Sequence, residues 1–557
     1  MEDGYDQSKK WRMDMTSPNN MVNVKMVICA LCLVGFVLFS SVLIKDRSKN
    51  EIIRIDRDFK PIKKDNQEEN RSRLVEFQQD KYLRGLIAQG FDEESCVSRY
   101  QSLWKNKGPQ AHQPSPHLIS KLRNYEALHR QCGPNTESFK KASEYLNSSI
   151  HNKTSNHSSS SDCSYVIWTA CDGLGNRMMT LVSAFLYALL TQKILLVEPK
   201  SNISSLFCEP FPGTTWQIPS SFPSIIKNFG KDSPQTYDYI LKWQKPEPMI
   251  PPYAYMYLAH DYTDKDKRFF CDEDQTFIQK VPWIIIKSNL YFVPSLFLMP
   301  SFQNELNNLF PEKETVFHFL GRYLFHPTNS VWSSITTYYW AHLARADEKI
   351  GIQIRTFEIK SDPFDKLLHQ ILTCVISEND LLPKINGMIR KPENHESAKS
   401  NRTKAVLMTS LDARYSDAIK MMYKLHSTQT GEIIRVFQPS NETKQRFSNQ
   451  AHDRKALAEM YLLSLADKLV TSSKSTFGYV AQSLGGLKPW ILYSRPHEYN
   501  ATNSGCQRAL SMEPCFHVPP TLDCETGKRV DKGKIVGCVR HCEDMNRTSG
   551  LKLYDER

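Results

Sequence analysis

The chain contains no Walker A run G-x-x-x-x-G-K-[S/T] and no G-x-G-x-x-G. The commonest glycine-rich phosphate cradles, those of P-loop NTPases and dinucleotide-binding folds, are therefore excluded. No basic run interleaves with aromatics in a recognised nucleic-acid motif, so the formal charge of +11 does not point to nucleic acid. Anionic lipid or a phosphorylated ligand suits that charge instead. The crowded C-terminal cysteines Cys506, Cys515, Cys524, Cys538 and Cys542 form no paired C-x-x-C, which argues against zinc and for disulfide staples. Long apolar runs are also scarce.

One such run is present, Met26–Ile44, free of charge and bracketed by Lys25 and Lys45. Nineteen helical residues at about 1.5 Å rise cross a hydrocarbon core of roughly 30 Å, whereas a cleaved signal's apolar region runs about 7–15 residues. Lysines and arginines lie on both sides, so charge does not set orientation. Asn70, Asn147, Asn152, Asn156, Asn202, Asn401, Asn441, Asn500 and Asn546 all begin N-x-S/T sequons, and all follow the run. Twelve of the fourteen cysteines follow it too. Both features place the bulk of the chain in an oxidising lumen. The expected order is a tail (1–25), a signal anchor (26–44) and a polar stem (45–81).

The remainder has the length for two domains. Its first part, 82–330, opens with two helical patterns, LRGLIAQGF and HLISKLRNYEALHRQCG, and a polar loop at 147–162. Tyr165–Ala170 then reads as a buried strand, CDGLGNR as a loop, Met178–Thr191 as a helix and Ile194–Glu198 as a second strand. The second part, 331–500, supplies strand patterns at Ile350–Ile354, Ala405–Ser410, Glu432–Phe437, Lys468–Ser472 and Trp490–Tyr493. Helical patterns fall between them at Arg454–Ala466 and Phe477–Leu484. This alternation predicts an α/β protein with two Rossmann-like lobes, and residues 501–557 a cysteine-rich region packed on them.

Ligands of such sheets bind at the carboxyl ends of the strands, where three candidate loops fall. Gly175, Asn176 and Arg177 open a helix whose free N–H groups suit a phosphate; the bland reading is a tight turn. Arg355 directly follows IGIQI and carries a permanent fork of donors, fit for a diphosphate or for an ordinary strand-end ion pair. Ser475, Thr476, Phe477 and Gly478 follow KLVTS, where the hydroxyls can cap the next helix, hold phosphate oxygens, or both. D-x-D triplets at Asp56/Asp58, Asp264/Asp266 and Asp272/Asp274 are read as chance in an acidic-rich chain rather than as a metal site. The three loops together suggest a nucleotide-sugar enzyme of the GT-B type.

At these residues the sequence resembles the plant cell-wall α-1,2-fucosyltransferases. The matching stretches include GLGNR (173–177), LFCEPF (206–211), YFVPSL (291–296), GRYLFHPTN (321–329), KALAEMYLLSL (455–465), SMEPCFH (511–517) and RHCED (540–544). The resemblance implies a Golgi type II protein and a GT-B-like fold. It implies GDP-β-L-fucose as donor, inversion at the anomeric carbon and no metal or other cofactor. A cell-wall glycan would be the acceptor, and a homodimer is compatible. It also implies that Arg355 binds pyrophosphate, that Ser475–Gly478 lies at the nucleotide, and that Gly175, Asn176 and Arg177 face the donor. For the proton acceptor the candidates are Asp544, Asp172 and His260. The chain departs from the xyloglucan-acting pattern at Asn289, where an acidic residue is expected, at Lys474, and in the loop holding Cys171. The acceptor expectation therefore spans xyloglucan and arabinogalactan protein or another wall polymer. The alternative is a tethered carbohydrate-binding protein on a degenerate version of the same fold.

Overall fold

Tyr165–Thr169 is buried along its whole length, which requires a strand paired on both edges and covered on both faces. In the computed structural model this run is β1. The structure describes residues 82–104, 112–151, 163–223, 236–242, 250–356, 364–386, 401–447, 449–493, 505–545 and 549–555, all within the unit Phe77–Arg557. The expected tail, anchor and stem lie outside the described residues, as do Asn70, Asn152, Asn156, Asn500 and Asn546. No described helix is long and apolar enough to cross a membrane. Asn147, Asn401 and Asn441 are exposed, and Asn202 is half-buried.

β1 pairs in parallel with β2 (Ile194–Val197) on one side and β4 (Trp283–Lys287) on the other. β3 (Tyr253–Tyr257) completes a four-stranded parallel sheet in the order β2-β1-β4-β3. The second sheet contains β5 (Glu348–Gln353), β6 (Thr403–Thr409), β7 (Ile433–Phe437), β8 (Lys468–Ser472) and β9 (Trp490–Leu492). β10 (Gln507–Arg508) adds an antiparallel edge, giving the order β10-β9-β8-β5-β6-β7. Among the described residues the fold is thus α/β, with two mainly parallel sheets and a small antiparallel pair, β11 (Val539–Arg540) with β12 (Lys552–Leu553).

Four helices matter for the site: α1 (Pro116–Cys132), α2 (Leu174–Thr191), α3 (Gln450–Ser464) and α4 (Thr476–Gly485). α2 is apolar on every face and is buried from Leu174 to Leu189 save for Asn176, as befits a central helix. It shares one hydrophobic cluster with Leu457, Met460 and Leu463 of α3 and with Val480 and Leu484 of α4.

Strands β3 and β4 lie where no element was expected, and two expected elements differ in form. HLISKLRNYEALHRQC is helical, as α1, but LRGLIAQGF forms turns. Leu83, Arg84 and Gly85 all take positive φ, which a right-handed helix cannot hold, while Leu83, Leu86, Ile87 and Ala88 are still buried. In addition, α2 begins at Leu174, inside the run expected to be a loop, with Gly173 as its N-cap.

Among the described residues five disulfides are formed: Cys96–Cys208, Cys132–Cys163, Cys271–Cys524, Cys374–Cys506 and Cys515–Cys542. Four of the five crowded C-terminal cysteines are used, and two of those bonds run outward, to Cys271 and Cys374. Cys171 and Cys538 carry no disulfide.

Candidate active site

Both sheets contain a place where the strand order reverses. In the second sheet the chain leaves β5 for β6 and β7, then returns to β8 on the other flank. A crevice forms at the carboxyl ends of β5 and β8, and open α/β sheets bind ligands there. Arg355 follows β5 by two residues, and Ser473–Thr476 follow β8. A cavity of about 320 Å³ opens at this point, walled by Gly173–Arg177 from the first sheet's side and by Arg355 and Lys474–Phe477 from the second.

Arg355 is half-buried. Its backbone N–H donates to Ser472 Oγ (2.9 Å), and its Nη2 donates to Gln445 Oε1 (2.7 Å). Desolvation lowers its pKa from the ordinary value, yet a guanidinium stays charged at any physiological pH. Ser475 caps α4 by accepting from Gly478 N–H (3.4 Å) and is buried, so its hydroxyl works on the helix. The first turn of α4, with the positive end of its helix dipole, lies at the cavity that Ser475, Thr476 and Phe477 line. Lys474 lines it as well, in a left-handed conformation (φ 59°).

Gly175 and Gly478 permit close packing here. A Cβ on Gly175 would lie 2.9 Å from the Thr476 carbonyl oxygen, and one on Gly478 would lie 3.0 Å from Thr471 Cβ. Asn176 links the two sides: its Oδ1 accepts from Thr476 Oγ1 (3.1 Å), and its Nδ2 donates to the Asn289 carbonyl (2.8 Å).

Arg177 borders the cavity but is otherwise engaged. It is 4 % exposed, with Nη2 on Asp453 Oδ1 of α3 (2.6 Å) and Nη1 on the Ser201 carbonyl (2.9 Å). It is a buried strut between α2 and α3.

The three candidate proton acceptors separate. Asp544 is 1 % exposed and does not line the cavity. Its Oδ2 accepts from Lys474 N–H (2.9 Å) and from Tyr479 OH (2.5 Å), so it braces the 474–479 segment from behind. Asp172 and His260 are exposed and meet at the Asn289 amide: Asn289 Nδ2 lies 2.7 Å from Asp172 Oδ2 and 2.8 Å from His260 Nδ1.

The described D-x-D triplets are spent locally. Asp264 pairs with Lys267, Asp266 accepts from Thr263, Asp272 accepts from Ser301, and Asp274 accepts from Arg268 and Tyr237.

Sequence reasoning missed Gln445, Phe447, Glu459 and His517, all of which line the cavity. Phe447 is 65 % exposed, an open aromatic face at the cavity wall. Ser440 Oγ donates to Glu459 Oε1 (2.5 Å), and burial pushes the Glu459 carboxyl up to about 7. Burial likewise lowers the His517 pKa, against the pull of Asp544. For Glu459 a signal existed: a lone carboxylate inside the apolar run ALAEMYLLSLA. For Gln445 and Phe447 there was none, because their loop has no periodicity.

An arginine, a lysine and a helix N-terminus converging on one cavity between two mainly parallel sheets is the layout of a nucleotide-sugar transferase. The chain belongs to the xyloglucan fucosyltransferase family, whose model matches residues 59–525, as the motifs implied. It is 54 % identical over 484 residues to a Pisum sativum galactoside 2-alpha-L-fucosyltransferase, covering 86 % of this chain and 83 % of that one. An Arabidopsis thaliana galactoside 2-alpha-L-fucosyltransferase is 52 % identical over 478 residues, covering 85 % and 83 %. A solved structure of an Arabidopsis thaliana FUT1 mutant in complex with GDP superposes with a TM-score of 0.77 at 50 % identity, covering 85 % of this chain and 100 % of that one.

Proposed function

We propose that the protein transfers L-fucose from GDP-β-L-fucose, with inversion, to the 2-OH of a terminal galactose or arabinose on a cell-wall glycan. Xyloglucan and arabinogalactan protein are the two acceptor classes. The observation that carries this reading is the convergence of Arg355, Lys474 and the α4 N-terminus on one cavity. The relatives' names and the GDP in the solved neighbour support it. As the anomeric carbon parts from the diphosphate, negative charge grows on the leaving GDP, and these cationic and N–H groups stabilise it. With these charges on site, the reaction requires no metal or other cofactor. The fold is GT-B-like, with lobes at 82–330 and 331–500 and the 501–557 region packed on both. Residues 26–44 anchor it in the Golgi membrane as a type II protein, with the stem and catalytic part luminal. A homodimer is compatible with this arrangement.

Incubating the full chain in detergent with labelled GDP-fucose and a panel of galactosylated and arabinosylated acceptors tests the proposal. Transfer to at least one acceptor is expected. Folded protein that binds GDP and transfers to none would be the tethered binding protein instead.

Within this site Phe447 offers a face for the purine and Glu459 a carboxylate for its N1–H and N2–H₂ edge. Glu459→Gln is expected to raise the GDP Kd about tenfold or more, the scale of one charge-assisted hydrogen bond. It should also shrink the preference for GDP over inosine diphosphate, which lacks the N2 amine. The Glu459 pKa is raised, so the acceptor form is lost as pH falls through about 7. GDP affinity of the native protein should therefore weaken below that pH, and calorimetric titration should find this weakening absent in Glu459→Gln.

A further inference from the structure

The first sheet has a reversal of its own, between β1 and β4, and the donor chemistry does not use it. Asp172 follows β1 by three residues, Asn289 follows β4 by two, and His260 follows β3 by three. All three sit at the carboxyl ends of adjacent strands, where the same rule places a second ligand.

Their hydrogen bonds determine which atom does what. The His260 backbone N–H donates to Asn289 Oδ1 (2.9 Å). A backbone N–H can only donate, so the orientation of the amide is settled, and its –NH₂ must face the other two partners. That –NH₂ donates to Asp172 Oδ2 (2.7 Å) and to His260 Nδ1 (2.8 Å). An amide nitrogen can only donate, so Nδ1 presents a lone pair and the neutral imidazole carries its proton on Nε2. His260 is therefore a donor toward a ligand, and Asp172 is the acceptor of the group.

Two contacts tie this cluster to the donor cavity, which Asp172 and His260 do not themselves line, and one backbone feature fixes Asp172. Asp172 immediately precedes Gly173, which lines the cavity. Asp172 is held in the left-handed region (φ 61°), a conformation aspartate tolerates but does not favour. Asn176 spans from the Asn289 carbonyl to Thr476 of the donor loop. Cys171 beside it is not a competing nucleophile, because burial and then the Asp172 charge push its thiol up to about 11.

Resting on the transferase reading, we infer that Asp172 accepts the proton of the attacking acceptor hydroxyl, that His260 Nε2–H donates to a neighbouring oxygen of the same sugar, and that Asn289 positions both. In this step the acceptor oxygen bonds to the fucose anomeric carbon. The bond from that carbon to the β-phosphate oxygen breaks, its electron pair leaving with GDP. The hydroxyl proton passes to the Asp172 carboxylate, and water carries it away afterwards. The titratable groups that face Asp172 are Cys171, Tyr257 and His260, and Lys287 stands next to Cys171.

The test uses the full chain in detergent. Asp172→Asn is expected to lower kcat about 100- to 10,000-fold, the range for removing a general base, with GDP heat protection within twofold of native. Added formate should restore part of the transfer lost in Asp172→Ala. Asn289→Ala, the positioning variant, should shift the acid limb of the kcat/KM profile, which a structural role alone would not move. His260→Gln should raise the acceptor KM more than it lowers kcat. Asp172→Asn that transfers at more than a tenth of the native rate overturns the assignment, and so does GDP-protected Asp172→Ala without formate rescue. If the native protein transfers to no acceptor while binding GDP, the transferase reading fails instead, so the two failures are distinct.

Discussion

Arg355→Ala is expected to lower kcat/KM for fucosyl transfer about 100- to 1,000-fold and to remove most GDP-dependent heat protection. The magnitude is that of losing one preorganised donor to developing charge, about 3–4 kcal/mol. The geometry supports the upper part of the range. Arg355 is half-buried at the reversal of the second sheet, so its charge acts in a medium less polar than water. Ser472 and Gln445 hold its backbone and its fork, so little reorganisation is needed on binding. Arg355→Lys keeps the charge and loses the fork, and should fall between native and alanine. Isothermal titration with GDP and steady-state transfer read both quantities. GDP binding unchanged in Arg355→Ala would refute the role.

The second large effect is on stability. Arg177→Ala is expected to destabilise the fold by about 3–5 kcal/mol, because it strands the Asp453 carboxylate without its counter-charge. Asp453 is 3 % exposed, and Arg177 Nη2 on its Oδ1 is a buried charge contact between α2 and α3. The pair is itself imperfect: Arg177 Nε and Asp453 Oδ2 are buried without partners. Replacing both ends should therefore cost much less than replacing one, so Arg177→Met with Asp453→Leu should recover most of the loss. Urea midpoints of the two single variants and the double variant, under non-reducing conditions, measure this. Equal losses in single and double variants would show that the charge pairing does not govern the effect.

Strands β1, β2 and β5–β9 were legible because each is an apolar run ended by polar or glycine residues, whereas β3, β4 and β10 were not expected. Lys468–Ser472 matches its expected bounds, and the other matched strands differ by one or two residues at their ends. α2 was legible except for its start. Its first turn lies in GLGNR, where two glycines suggest a loop, and only packing against Thr476 shows why a side chain is missing at 175. LRGLIAQGF misled for the converse reason. Its apolar residues are buried, as a helix would bury them, but by turns that positive φ at 83–85 makes possible.

Of the site, the residues at strand ends were visible, because a strand's end is a local feature. Arg355 and the 475–478 loop fall there, as do Asp172 and Asn289. What local pattern cannot carry is which of these face a cavity and which face each other. Arg177 and Asp544 carry the right chemistry, but the fold spends one as a strut to Asp453 and the other on bracing the loop behind Lys474. Gln445, Phe447 and Glu459 reach the cavity from a loop and a helix far from Arg355 in the chain. The amino-acid sequence by itself determined the class of fold, the family and the positions of the strand-end loops, since periodicity and contiguous motifs are local. Only the tertiary structure decided the partners: the five disulfides, the Arg177–Asp453 strut, and the amide of Asn289 that joins Asp172 to His260. Each of these is a contact between distant segments, and its energy exists only once the two sheets have brought those segments together.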